Sequence, residues 1–459
     1  MTTLPLPLTP PRNAGRGQTR RAAHARLTAA AAVPLFAAAC AGGSGGLAGA
    51  GDQAKPAALK AGSTLLFWND QGGGMTAVMQ DWAKRFQQKT GVNVDVTAGI
   101  PDARDKITAA LTAGTPPDVY RYLQETFPIV AAVERNMLLK IDSYVKRDKY
   151  DLADFRKDAV ELYRWKGNLH ALPRAYGLQC LFYAADLFAR EGVPPIPGDW
   201  NDKTWTFQKF TEASQRLART GERHALYVPR ASRLWASFVY SNGGALVKKN
   251  ADGLATGIAL HETPAVEALQ LMQDLIYKHN VAPTPPEERQ LGDALALAQG
   301  GKLAMQITNP GGNARWRSTG MAYDAGVFPI GAAARRGVGG GGTGWSISGP
   351  SKQPEEAWAL LSFITSKEAQ LDELAEGSTT PVRISISTSQ QYLTPLPKNA
   401  RVFADGQDYV VRDPVHARWP DLERDINKLF DEQLWTGQVP AAQVARQIRD
   451  LADPILKQA

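Results

Sequence analysis

Hydrophobic and polar positions follow a repeating order in the chain beyond residue 62. Residues 64–68 form a short apolar run that gives way to Asn69-Asp70-Gln71 and three glycines. That pattern predicts a buried strand opening into a glycine loop. Met75, Val78, Met79, Trp82 and Phe86 then recur at helical spacing, and Gly91 ends the run, as expected of one apolar helix face and its C-terminal stop. Residues 92–96 alternate and predict a second strand. A helix over 102–113 stops at Gly114, and Pro116-Pro117 leads into a third strand at 118–122. This β-α-β-α-β order predicts a mostly parallel sheet covered by helices. Ligands bind such sheets beyond the carboxyl ends of the strands, so the loops after Trp68 and Tyr122 are expected on one rim.

Farther along, a helix is expected over 127–137, a hairpin over 165–173 and a strand over 176–183. Helices follow at 186–191, 206–220 and 263–280, the last with Val266, Leu269, Leu271, Met272, Leu275 and Ile276 apolar. Another helix at 291–300 precedes a strand at 302–307, and a glycine run lies at 339–344. A helix spans 354–365, and the remainder is helical with two proline-containing connections. Two passages of the chain between bodies are expected, near 174–177 and near 317–324. No internal repeat is visible.

The first 39 residues change the picture. Arg12, Arg16, Arg20, Arg21 and Arg26 stand with no acid, and 27–39 is apolar or small. A bilayer span needs roughly 20 apolar residues, so this run is a signal-peptide core instead. Small residues at Ala37 and Ala39 precede Cys40, which marks Cys40 as a lipidation site, although Ala37 stands where leucine is usual. Arg20-Arg21 hints at twin-arginine export, but Ala22-Ala23-His24 lacks the apolar residues usual after such a pair. The expected organisation is a signal peptide at 1–39 and a flexible Gly/Ala/Ser tether at 40–62. The chain has 459 residues, so about 420 follow the leader, more than one core usually supports, and two domains are expected.

The formal charge of +7 falls to about +2 once the five leader arginines are set aside. No later Lys/Arg run is long enough for a nucleic-acid patch. Of two cysteines, Cys40 is expected to carry the lipid, which leaves Cys180, flanked by Leu178, Leu181 and Phe182, as an expected core thiol without a disulfide partner. No cofactor or metal motif emerges. Residues 337–342 fit G-x-G-x-x-G formally, yet no helix opens after them. His261-Glu262 lacks the second histidine of a zinc protease, and Gly344-Trp345-Ser346 lacks the closing glycine of a nucleophile elbow.

Several segments resemble, in order, the extracellular solute-binding proteins (family 1) that serve carbohydrate ABC transporters. Leu66-Phe67-Trp68-Asn69-Asp70 is similar to the family's first strand. Phe86-Gln87-Gln88-Lys89-Thr90-Gly91-Val92-Asn93-Val94 resembles its F-x-x-x-T-G-I-x-V segment, and Ala113-Gly114-Thr115-Pro116-Pro117-Asp118-Val119 its A-G-x-x-P-D-V. Residues 167–173 are similar to G-K-x-Y-G-L-P, with Asn168 and His170 as departures, and 182–188 to Y-N-x-D-x-F. Trp345-Ser346-Ile347-Ser348 and residues 357–366 resemble the late strand and the A-W-x-F-L-x-F-L-T-S helix. The resemblance implies an α/β, periplasmic-binding-protein-like type II fold: two α/β lobes, a hinge and an interlobe cleft. It divides the chain into lobe 1 (63–175 and 320–376) and lobe 2 (176–319 and 377–459). It also implies an extracytoplasmic lipoprotein, monomeric, that closes on a sugar and presents it to permease subunits, without chemistry.

A sugar offers apolar C–H faces and a ring of hydroxyls, so aromatic plates and short polar side chains suit it. Trp68, Trp235 and Trp345 stand where the family places cleft aromatics, and Trp316 is a further candidate; each has core packing as its alternative. Asp70 is placed to accept two hydroxyl bonds or to cap the following helix. Tyr122 and Gln124 follow the third strand, Tyr176 lies at the first passage, and Asn242 and Asn309 sit in turns. Gly344 admits close backbone approach. Arg383 resembles a late cleft position and would admit an acidic or phosphorylated ligand. Two other readings remain open: the same scaffold binding a solute such as glycerol phosphate, and a secreted glycoside hydrolase with two carboxylates at fixed separation.

Overall fold

The computed structural model describes residues 58–333, 335–375, 380–394 and 397–457. The expected signal peptide, Cys40 and most of the tether lie outside the described residues.

The strands run β1 (Thr64–Trp68), β2 (Asn93–Thr97), β3 (Val119–Leu123), the hairpin β4 (Arg164–Trp165) and β5 (Asn168–Leu169), β6 (Ala171–Leu178), β7 (Cys180–Ala184), β8 (Val247–Lys249), β9 (Ala255–Ile258), β10 (Met305–Thr308), β11 (Tyr323–Gly326), β12 (Val338–Ile347) and β13 (Val410–Arg412). One sheet has the order β13-β12-β3-β1-β2, with β6 also paired to β12. Its β2-β1-β3 part is parallel, as the β-α-β-α-β order requires, and β12 joins it antiparallel to β3. A second sheet, β10-β7-β11, is antiparallel throughout. The helix Gly74–Thr90 buries Met75, Met79, Trp82 and Phe86 and ends on Gly91 at φ 76°, the left-handed conformation that glycine adopts without a Cβ penalty. Asp118 explains the proline-aspartate motif: it is buried, accepts from Leu66 N at 3.0 Å and from Ser351 Oγ at 2.6 Å, and so pins β1 to the turn after β12.

Two hydrophobic cores form. The first gathers Leu65, Phe67, Met79, Trp82, Tyr120, Trp345 and Trp358; the second gathers Phe182, Trp235, Phe238, Met305, Trp316, Phe430 and Trp435. Cys180 is a buried, free thiol of the second core, and burial pushes its pKa up. Strand β6 runs from Ala171 and Tyr176 in the first core to Leu178 in the second, and β12 runs from Val338 in the second to Trp345 and Ile347 in the first. These two antiparallel neighbours link the bodies, and the chain crosses once more between Val382 in the first core and Val402 in the second.

The cores divide the chain at other places than expected in two segments. Residues 323–328, expected in the first lobe, belong to the second core: β11 pairs with β7, and Phe328 packs edge-on against Phe238 at 5.0 Å. The second passage is therefore β12 itself. Val382, expected in the second lobe, packs in the first core.

The glycines of β12 are dictated by close approach. A Cβ on Gly340 would lie 2.4 Å from Gly177 O, and one on Gly342 would lie 2.6 Å from Ala175 O. On the other face, a Cβ on Gly341 would lie 2.8 Å from Arg233 Nη2. Real side chains do not fit where backbones approach this closely.

Candidate functional site

The carboxyl edge of β1 and β3 carries the expected polar rim. Asn69 is buried, and its Oδ1 accepts from Gln71 N at 3.1 Å. Asp70 does not cap the helix that follows; the cap position is Gly73, with no side-chain bond. Both Asp70 oxygens accept from Arg121 Nη1 on β3, at 2.5 and 2.6 Å. Arg121 Nε, also buried, has no partner. Burial foremost, and then Arg174, pull the Arg121 pKa down, and Asp70 opposes them. Trp68 and Gln124 are half-buried on the same edge, and Glu125 follows them in the open.

Opposite Glu125 stands the helix Ser232–Ser241. Arg233, in its first turn, places Nη1 2.5 Å from Glu125 Oε2 and Nη2 2.5 Å from Asp413 Oδ2. One guanidinium therefore joins the loop after β3 to the segment after β13. Asn427 accepts from Trp235 Nε1 at 3.1 Å and donates to Ser232 Oγ at 2.8 Å. Glu423 beside them is pushed up to about 7, first by burial and then by Asp413, against a bond from Ser232 and the charge of Arg233.

These groups enclose a cavity of about 810 Å³ whose walls include Glu125, Ser232, Arg233, Asp413, Glu423 and Asn427. Five carboxylates and three cationic side chains line it, and no aromatic ring does. Its position beyond the end of β3 is where an open α/β sheet binds ligands. A second cavity, about 850 Å³, has Trp165, Glu161 and Arg164 on one wall and His416 and Arg418 on another.

Of the expected residues, the structure places Trp68, Asp70 and Gln124 at this edge and the others elsewhere. Trp345 is fully buried, 5.0 Å from the Phe67 ring and 6.4 Å from Trp82, under the Arg174 guanidinium. Trp235 packs edge-on against Phe430 at 4.9 Å, and Trp316 stacks on Phe182 at 5.8 Å while donating to Gln306 Oε1. All three are core residues, packed on the inward faces of the elements that carry them. Tyr122 is buried and donates to Phe127 O, and Tyr176 is buried in the first core. Asn242 is buried, donating to Pro264 O at 2.8 Å and accepting from Ala332 N at 3.1 Å. Asn309 is exposed and caps a short turn through Gly311 N. Gly344 makes room for the Tyr163 ring rather than for a solute, since a Cβ there would lie 2.9 Å from that ring. Arg383 is a structural pin: its guanidinium lies 4.1 Å from the Phe155 ring centroid and reaches Asp154 at 3.1 Å and Thr365 O at 2.9 Å.

Sequence reasoning missed Arg121, Glu125, Arg233, Asp413 and Glu423. Glu125 was within reach of the same rule that selected Gln124. Arg233 and Asp413 are 180 residues apart, and nothing local announces their pairing.

A family model for bacterial extracellular solute-binding proteins matches residues 70–371. A putative binding protein of Brucella abortus is 23% identical over 371 residues, covering 77% of this chain and 82% of that one. Among solved structures, an ABC substrate-binding protein of Listeria monocytogenes in complex with cycloalternan superimposes with TM-score 0.75 at 20% identity, over 86% of this chain and 99% of that one. The GacH receptor of Streptomyces glaucescens, solved unliganded and with acarbose, gives 0.72 at 21%, over 86% and 98%. UgpB from Mycobacterium tuberculosis in complex with glycerophosphocholine gives 0.73 at 19%, over 86% and 99%. These likenesses establish the type II periplasmic-binding-protein fold, in which the two cores are two lobes.

Proposed function

The chain belongs to the bacterial extracellular solute-binding proteins, and from that premise we propose that it captures a carbohydrate by closing its lobes and delivers it to the permease of an ABC importer. The observation that carries the reading is the 810 Å³ cavity walled by Glu125 from one lobe and by Ser232, Arg233 and Asn427 from the other. Hydrogen-bonding groups facing each other across a hinge hold a solute only when the lobes approach, so binding and closure are one equilibrium. Its volume lies in the usual range for small-molecule sites. The structural relatives solved with cycloalternan and acarbose support a carbohydrate. The solute is released unchanged, and the protein acts as a receptor without catalysis.

Export and lipidation at Cys40 belong to the same proposal. The family is extracellular, and a lipid at Cys40 would tether the chain to the membrane; no helix of the described residues is long and apolar enough to cross one. Mass spectrometry of the membrane fraction would show a diacylglycerol on a chain beginning at Cys40; a chain still carrying residues 1–39 would contradict it.

One observation favours a second reading. The cavity walls are densely charged and carry no ring, which suits an ionic polyol derivative of the kind bound by UgpB. A thermal-shift screen separates the two, since a ligand held only by the folded form raises the melting temperature. A rise with an oligosaccharide supports the first reading. A rise with glycerophosphocholine alone, lost in Arg233→Ala, supports the second.

A further inference from the structure

A third cavity, about 530 Å³, lies away from the interlobe one and shares no lining residue with it. It is bounded by the turn after the helix Ser232–Ser241, by β8, by residues 335–337 and by β13. Its walls gather Lys203, Lys249, Arg335, Arg336 and Arg412. The single lining carboxylate, Asp408, is held by Arg156 from outside the cavity.

Arg336 carries the argument. It is 4% exposed. Nε donates to Phe328 O at 2.6 Å and Nη1 to Trp200 O, and the guanidinium lies 6.0 Å from the Trp200 ring centroid. Nη2 is buried with no partner, and no carboxylate of the described residues forms an ion pair with this side chain. Burial pulls the pKa of this cation down, and Asp202 and Asp199, near enough to favour the charge but not ion-paired with it, offset the desolvation only in part. Lys249 stands at the exposed rim of the same cavity, where partial desolvation and then the charge of Arg412 hold its pKa down. Arg412 at the same wall reaches Asp158 at 3.4 Å and bonds to the Tyr176 hydroxyl. Like charges are thus gathered around a concavity with one open donor, an arrangement that a multivalent oxyanion completes.

We propose that this cavity is a second binding site, taking a phosphate group carried by a small polar solute. A water occupies about 30 Å³ of liquid, so a bare phosphate would leave most of the space for an attached polyol or sugar. The occupant would bridge Lys249 and Arg336 and draw β13 towards residues 335–337. This inference does not rest on the carbohydrate reading: the interlobe cavity is walled by other residues.

The test is a thermal-shift and calorimetric titration of the full chain with inorganic phosphate, beside sodium chloride at equal ionic strength. The expected result is a rise in melting temperature with phosphate alone, and competition by glycerol 3-phosphate. Lys249→Glu, at an exposed position, should weaken phosphate binding at least tenfold and leave a carbohydrate titration unchanged. Arg336→Met should do the same if it folds; Lys249→Glu decides the matter if it does not. Equal shifts with chloride, or wild-type phosphate affinity in Lys249→Glu, would overturn the site. Binding only to phosphatidylglycerol vesicles, with no response to the soluble phosphates, would overturn the small-solute assignment.

Discussion

At the residue scale, the cleft is governed by charge placement. Arg233 is shared between Glu125 and Asp413, and removing it leaves two carboxylates facing Glu423 across the cavity. Arg233→Ala is expected to weaken solute binding about tenfold or more, near 1.4 kcal/mol, read by calorimetry; an unchanged dissociation constant would place the solute elsewhere. Glu423 gives a pH signature. Its folded pKa, about 7, lies above the ordinary carboxylate value, so the folded state binds the extra proton between the two values and loses stability as pH rises through that window. The groups facing it are Asp413, Glu125, Arg233 and Ser232. Glu423→Gln should therefore raise the melting temperature at pH 8 and match the wild type near pH 4. A constant difference across that range would contradict the burial of its carboxyl. Trp345, by contrast, is core. Trp345→Ala should cost about 3–5 kcal/mol of stability in denaturant unfolding, whereas a loss below about 1 kcal/mol would return the ring to the cleft.

At the element scale, β12 is both hinge and spacer. Gly340→Ala sets a Cβ against the Gly177 carbonyl, a backbone atom that cannot step aside, and should destabilise by about 1–3 kcal/mol. Gly341→Ala meets only the end of the Arg233 side chain. It should fold and should weaken binding by displacing that guanidinium. The double variant with Arg233→Ala should then lose no more than the single, since residues acting on one interaction are not additive. The elements show what was legible in the sequence. β1, β2, β3 and the helix between the first two were readable because periodicity and glycine stops are local signals. The order of motifs gave the fold. The tryptophans misled, because a ring at a strand end or helix start has the same sequence signature whether it faces a core or a cleft. The second passage was misplaced because β11 is a short strand whose partner, β7, lies some 140 residues earlier, and only pairing reveals which sheet it joins. The charged cleft was the least legible part, being assembled from positions that share no local pattern.

At the scale of the whole molecule, two cores are connected by β6, by β12 and by the chain between Val382 and Val402. Glu125 and Arg233 meet at 2.5 Å, and the separation of these two walls is the coordinate that solute binding would bear on. A solute that bonds to both walls shifts that coordinate by its differential affinity for the closed form, and the permease would read the closed surface. The most direct measurement is equilibrium dialysis of the purified chain against a mixture of mono-, di- and oligosaccharides, with mass analysis of what the protein retains. One carbohydrate held at one molecule per chain and recovered at its original mass is the predicted result. Retention of none, or recovery of cleaved fragments, would contradict the account.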